Sequence, residues 1–182
     1  MDDNRQELLA PDMSLAATLV EPMYVAQSAA CTALSDELGE RAAQGHIVDG
    51  HGDLRPEHIY VGSPPCIIDA LEFSADLRAV DPAEELAYLA VECEYAGNAP
   101  IGQRFIDSYR DQSSDGCSQR LFDFYRSQRA ATRAKIVLRH LCDPQYRWRQ
   151  PWPALATRYV LLATRHALEA VRSAGPAHVV ER

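Results

Sequence analysis

Between His51 and Asp69 the chain carries a stretch of strand character set among helix-like segments, and this stretch constrains the fold more than any other feature. Residues 59 to 61 (Ile-Tyr-Val) and 66 to 68 (Cys-Ile-Ile) are rich in β-branched side chains, and Gly62-Ser63-Pro64-Pro65 between them is a turn signal. A short antiparallel hairpin is predicted. Pairing Val61 with Cys66 sets a register that puts His58 opposite Asp69, with Cβ atoms about 5 Å apart, near enough for both to hold one cation or one bound phosphate group. Asp53 lies just upstream, on the loop that feeds the hairpin. A candidate general base thus stands beside a candidate metal site.

Helical patterns fill the rest. Residues 14 to 30 place Leu15, Leu19, Met23 and Ala26 at helical spacing, and Pro22 is expected to kink or break that helix. Ser35 is a candidate N-cap for residues 35 to 44. Asp81-Pro82-Ala83-Glu84-Glu85 opens a helix with a cap, a proline at its first position and acids at its positive end, followed by a stripe of Leu86, Leu89, Ala90 and Cys93. Residues 100 to 111 offer Ile101, Phe105, Ile106 and Tyr109 as a buried face. Residues 118 to 141 form the longest helix and 154 to 172 the last, with a frayed tail from Gly175. At 182 residues and 47% hydrophobic the chain can bury one core. The expected organisation is one domain over 1–182, with a catalytic loop and metal hairpin at 46–74 and a helical remainder at 81–173.

His51-Gly52-Asp53, with a further candidate ligand five residues on at His58 and then a short hairpin ending in Asp69, resembles the catalytic centre of the kinase-like phosphotransferases. The resemblance is closest to the aminoglycoside phosphotransferase family, in an uncharacterised bacterial branch. It is strong from about His46 to Tyr95. It implies a mainly α fold with a small β-hairpin, the carboxy-terminal lobe of the protein-kinase-like fold. It also implies transfer of a phosphoryl group from ATP, with Mg2+, to an alcohol group of a small molecule. Asp53 would accept the hydroxyl proton and Asp69 would hold the metal. His58 stands where the family has a metal-binding asparagine. Imidazole suits softer metals than magnesium, so a hydrogen bond from His58 to a phosphate or to Asp53 is the other role open to it. His51, Arg55, Glu72 and Asp81 are supporting residues. His51 is read as a brace of the loop. Arg55 is a phosphate contact or a surface pair with Glu57, and Glu72 a partner of Asp69 or a solvated carboxylate. Asp81 resembles the family's helix-opening aspartate and is read here as an N-cap.

The same resemblance defines what is missing. Lys135 is the only lysine and lies far downstream, and the glycines before His51 form no phosphate-binding pattern. The amino-terminal nucleotide lobe is expected to be absent, leaving a truncated chain. A separate amino-terminal lobe or a homodimer is then expected to cover the hairpin and the apolar positions of residues 15 to 26. Two alternatives stand beside the enzyme: a non-catalytic remnant or binding module of the same fold, and a metal-dependent phosphate-ester hydrolase. A net charge of −8 argues against nucleic-acid binding. Five scattered cysteines without a C-x-x-C pair suit reduced thiols, and the apolar runs are too short to span a membrane, so a cytoplasmic protein is expected. Arg126, Arg129 and Arg133 are spaced to share one helix face, and Lys135 and Arg139 another. A solvated basic face is the expectation, with contact to an anionic substrate as its alternative.

Overall fold

The computed structural model describes residues 1–13 and 15–172. Its elements in chain order are α1 (Asp2–Leu8), α2 (Ala17–Ala33), α3 (Ser35–Ala43), β1 (Val48–Asp49), β2 (Ile59–Tyr60), β3 (Cys66–Ile67), α4 (Ala75–Arg78), β4 (Ala79–Val80), α5 (Pro82–Tyr95), α6 (Ala99–Gln112), α7 (Gln119–Arg139) and α8 (Trp152–Val171). The chain is mainly helical with little strand. The strands form two antiparallel ribbons, β2 with β3 and β1 with β4. Because β1 precedes the His51 loop and β4 follows the hairpin, their pairing closes residues 50–78 into one excursion from the helical body. The tail expected to fray from Gly175 lies outside the described residues.

Helix α5 is the centre of the molecule. Asp81 caps it by accepting from Ala83 N (2.8 Å), and Pro82 fills the first position, as the sequence predicts. The expected stripe of Leu86, Leu89, Ala90 and Cys93 is too narrow. Ala83, Ala87, Tyr88 and Val91 are buried as well, because α6 and α7 cover one side of the helix while the loop at Leu54 and Ile59 covers another. On α6 the contact runs through Gly102 and Ile106. A Cβ at position 102 would stand 2.6 Å from Ala90 Cα, so only glycine permits that approach. This rotates Ile101 and Phe105 outward, and the buried face expected for them is corrected to Gly102, Ile106 and the half-buried Tyr109.

Three further expectations change. Helix α2 runs through Pro22 and ends at Ala33, held by packing on α8 and α7 that offsets a proline cost of about 3 kcal/mol. Ser35 is the first residue of α3 and makes no capping bond, since Leu34 takes the cap position. The apolar positions of residues 15 to 26 are not an exposed face: Val20 and Met23 lie in the core with Leu138, Val160 and Ala163. The hairpin remains open, with Tyr60, Val61, Ile67, Ile68 and Phe73 exposed. No helix among the described residues is long and apolar enough to cross a membrane.

A buried ion cluster joins α3, α5 and the α6–α7 loop. Arg41 donates to both carboxylate oxygens of Asp81 (2.5 and 2.7 Å) and to both of Asp115 (2.5 and 2.8 Å). Tyr125 and Tyr109 hydroxyls donate to Asp81 and Asp115 respectively. Hydrogen bonding from Arg41 holds the Asp115 carboxyl well below its ordinary range. A depressed folded-state value means that this stabilisation is complete above the ordinary carboxylate range and is lost as pH falls through it. Arg41→Met strands two buried carboxylates. It should cost about 3–5 kcal/mol by chemical denaturation near neutral pH. The wild type itself should lose stability as pH drops below about 4.

Candidate active site

The loop from Gly50 to Leu54 is held from below by α5. Glu85, one turn after the helix start, accepts from the backbone N–H of His51 (3.0 Å) and of Gly52 (2.8 Å). Gly52 has φ +83°, and a Cβ there would stand 2.7 Å from Leu77 O. Glycine between His51 and Asp53 is therefore a steric requirement. His51 Nε2 donates to Ile68 O (2.7 Å) and its Nδ1 accepts from Asp53 N (3.3 Å), so His51 braces loop against hairpin.

Asp53 is the hub. Its Oδ1 accepts from the Tyr88 hydroxyl (2.8 Å) and its Oδ2 from Arg55 Nε (3.1 Å). His58, buried, donates Nδ1–H to the Asp53 carbonyl (2.9 Å). That bond leaves the His58 Nε2 lone pair facing Arg55 Nη2 (3.2 Å) and Asp69 Oδ2 (3.4 Å). Arg55 also pairs with Glu57 (2.6 Å), so it belongs both to the site and to the surface. Burial pushes the Tyr88 phenol well above its ordinary value, with the neighbouring Asp53 carboxylate adding to the shift. Tyr88 is thus fixed as a hydrogen-bond donor.

The hairpin register differs from expectation by one residue. Ile59 pairs with Ile67 and Tyr60 with Cys66, so His58 lies opposite Ile68 rather than Asp69. The cause is the turn, which takes in Val61, 95% exposed, and spans five residues, 61–65. His58 and Asp69 meet all the same, because Asp69 leaves the strand direction with φ 65° and its carboxylate returns toward the imidazole.

Asp53 separates two clefts. One, about 560 Å3, is lined by Asp53, Asp69, Ala70, Leu71, Glu72 and Phe73. Its polar groups are carboxylates. Asp69 is 75% exposed there, and Glu72 is solvated at the rim, its side chain bonded to nothing among the described residues. The other, about 510 Å3, is bounded by Asp53, Arg55 and Tyr88, by an apolar side of Leu71, Phe73 and Leu77, and by Arg129, Arg133 and Arg139 of α7. The solvated basic face expected on α7 is corrected accordingly. Arg129 and Arg133 side chains are only 15% and 16% exposed, and Arg139 shares their cleft, whereas Lys135 turns to Asp3. Arg126, roughly 10 Å back along the axis from Arg133, faces Asp123 and Gln103 instead. Glu85 and Tyr88 are the site residues that the apolar stripe of α5 concealed. Asp81, expected as a cap, lies a turn away, and its side chain bonds to Arg41, Ala83 N and Tyr125 rather than to the loop.

No protein-family model matches the chain, and no solved structure matches it. Two similar proteins are the uncharacterized protein Rv2004c of Mycobacterium tuberculosis and the uncharacterized protein Mb2027c of Mycobacterium bovis. Each is 35% identical over 127 residues, which is 69% of this chain and 25% of the relative. The chain spans about a quarter of the length of these curated relatives.

Glu85→Gln keeps shape but can accept only one of the two loop amides and turns an N–H against the other. Denaturant titration should show a loss of about 1–3 kcal/mol. Gly52→Ala should lose at least as much, from backbone strain at positive φ plus the Leu77 clash. A stability of either variant equal to the wild type would show that the loop is not held this way.

Proposed function

We propose that the chain carries the catalytic half of a kinase-like phosphotransferase, which moves a phosphoryl group from ATP to a hydroxyl of a small molecule. The observation that carries this reading is the meeting of Asp53, His58 and Asp69 around one cleft, on a His-Gly-Asp loop and the hairpin that follows it. Asp53 orients the acceptor hydroxyl and takes its proton. Tyr88 and Arg55 occupy one lone pair on each of its oxygens, fix the carboxylate plane and leave the remaining lone pairs for the substrate.

Magnesium suits the acidic cleft. It binds through one or two carboxylates and completes its shell with water and phosphate oxygens, which fits a single exposed Asp69 with Glu72 near it. His58 Nε2 stands at the same point with its lone pair outward, placed to serve as a second ligand. Bound Mg2+ and ATP would supply the phosphoryl group and neutralise its charge. With no lysine or glycine-rich loop near the site, further nucleotide contacts must come from another segment or a second copy seated over the exposed hairpin.

A non-catalytic binding module of the same fold is the second reading. It is favoured by the lack of a lysine or a glycine-rich phosphate loop beside Asp53.

Calorimetric titration and ADP release from the full chain with Mg2+ and ATP separate the two. Affinity for ATP should be at best millimolar, about −4 kcal/mol, and its Mg2+-dependent part should be abolished by Asp69→Asn. Turnover with a polyol panel should fall roughly 100-fold or more in Asp53→Asn. Metal-dependent ATP binding without turnover, unchanged by Asp53→Asn, favours the binding module. Mg2+-dependent binding unaffected by Asp69→Asn overturns the proposal.

A further inference from the structure

We infer that the α7 side of Asp53 is an anion site, and that the hydroxyl acceptor is a small molecule carrying a phosphate group. The assignment of this anion as the acceptor rests on the phosphotransferase reading. The presence of the site does not.

Positions 129, 133 and 139 fall within the stripe of α7 that faces the cleft, so three guanidinium groups line one wall while Arg55 stands at its end. Guanidinium offers donors only, and Asp53 is the one carboxylate of the lining. A ligand that fills this space beside Asp53 must therefore be rich in acceptors. A cationic or purely apolar one would leave the donors without partners.

The arginines are held ready for such a ligand from behind. Arg129 Nε lies 3.0 Å from Glu84, Arg129 Nη1 donates to Gly52 O (3.2 Å), and its guanidinium sits over the Tyr88 ring at 5.0 Å. Arg133 Nε lies 3.3 Å from Glu92, with its guanidinium over Tyr159. Arg139 is clamped by both oxygens of Glu7. These contacts engage the Nε side of Arg133, and both Nε and one terminal nitrogen of Arg129 and of Arg139, leaving the remaining terminal N–H groups for a ligand. Among the described residues, Arg129 Nη2 makes no hydrogen bond, while Arg133 is bonded to the Tyr159 hydroxyl, whose own proton goes to Glu92. The buried Nε atoms of Arg129 and Arg133 are at ion-pair distance from their glutamates yet poorly aligned for hydrogen bonding. Planar forks fixed by stacking and by carboxylates at the back suit the bidentate recognition of phosphate.

The apolar wall of Leu71, Phe73 and Leu77 faces them. A molecule with its phosphate on the arginines can lay its carbon skeleton on that wall and present a hydroxyl to Asp53. The acidic cleft, on the other side of Asp53, is left for metal and nucleotide.

Titration of the full chain without nucleotide tests this, using glucose 6-phosphate, inorganic phosphate and glucose as probes. Glucose 6-phosphate and phosphate should bind at least tenfold more tightly than glucose. Arg133→Gln should lose that preference tenfold or more, and Arg139→Gln, at a position 58% exposed and safe for folding, should lose several-fold. Arg104→Gln, on an exposed face of α6, should change nothing. Equal binding of glucose and its phosphate, or a phosphate preference that survives both cleft variants, overturns the inference. So does full displacement of glucose 6-phosphate by ADP, which would make the arginines a nucleotide site. Phosphate binding lost in the variants of a chain that transfers nothing would keep the anion site and sink the transfer reading. Transfer to neutral polyols with no anion preference would do the reverse.

Discussion

Two backbone amides, those of His51 and Gly52, converge on one buried carboxylate, and the geometry of the whole site hangs on that contact. Glu85 belongs to α5, the helix most enclosed by the rest of the protein, so the loop inherits the rigidity of the core instead of the mobility of a surface connection. Along the same helix, Tyr88 reaches the Asp53 carboxylate, Leu89 packs beneath Leu54, and Glu92 backs Arg133. Spacings of three and four residues keep these groups on one side of the helix, so a single rigid element sets loop, base and arginine wall together. Asp81 and Arg41 fix where that element starts.

Asp53 lies on the boundary between unlike surroundings. Toward Asp69 and Glu72 the polar groups are acceptors, and toward Arg129 and Arg133 they are donors. A cation is favoured on the first side and an anion on the second, and the carboxylate between them is tied to both through the backbone and Arg55. Tyr88 links the two sides physically: its hydroxyl holds Asp53 while its ring carries the Arg129 guanidinium. An arginine on an aromatic face loses less freedom on binding a ligand than one waving in water, so its order is established before any ligand arrives.

The sequence made some of this legible and hid the rest for physical reasons. Asp81-Pro82 announced the start of α5 because capping and a first-turn proline are local effects. The company of Asp53, His58 and Asp69 was legible because a loop and its hairpin are neighbours in the chain. Glu85 and Tyr88 were hidden, since a helical stripe is read from apolar residues and both are polar groups buried by partners distant in sequence. The arginines of α7 were misread for a related cause. Helical spacing shows which residues share a face, but it cannot tell a face in water from the wall of a cleft. That distinction depends on Leu71, Phe73 and Leu77, about sixty residues away.

The register of the hairpin shows how a local error can leave a site intact. A slip of one residue in a continuous strand sends each side chain to the opposite face and should have parted His58 from Asp69. The strand, however, ends at Ile67, and Asp69 adopts φ 65°, a left-handed conformation that aspartate tolerates better than most side chains. The backbone reversal undoes the slip, and the carboxylate comes back to His58 Nε2 at 3.4 Å. The meeting of these two residues is therefore specified by the turn after the strand and not by pairing within it. A β-branched residue at position 69 would disfavour that conformation as well as remove the carboxylate, while glycine would keep the turn and lose only the ligand. Comparing the two separates the shape of the loop from the charge it presents.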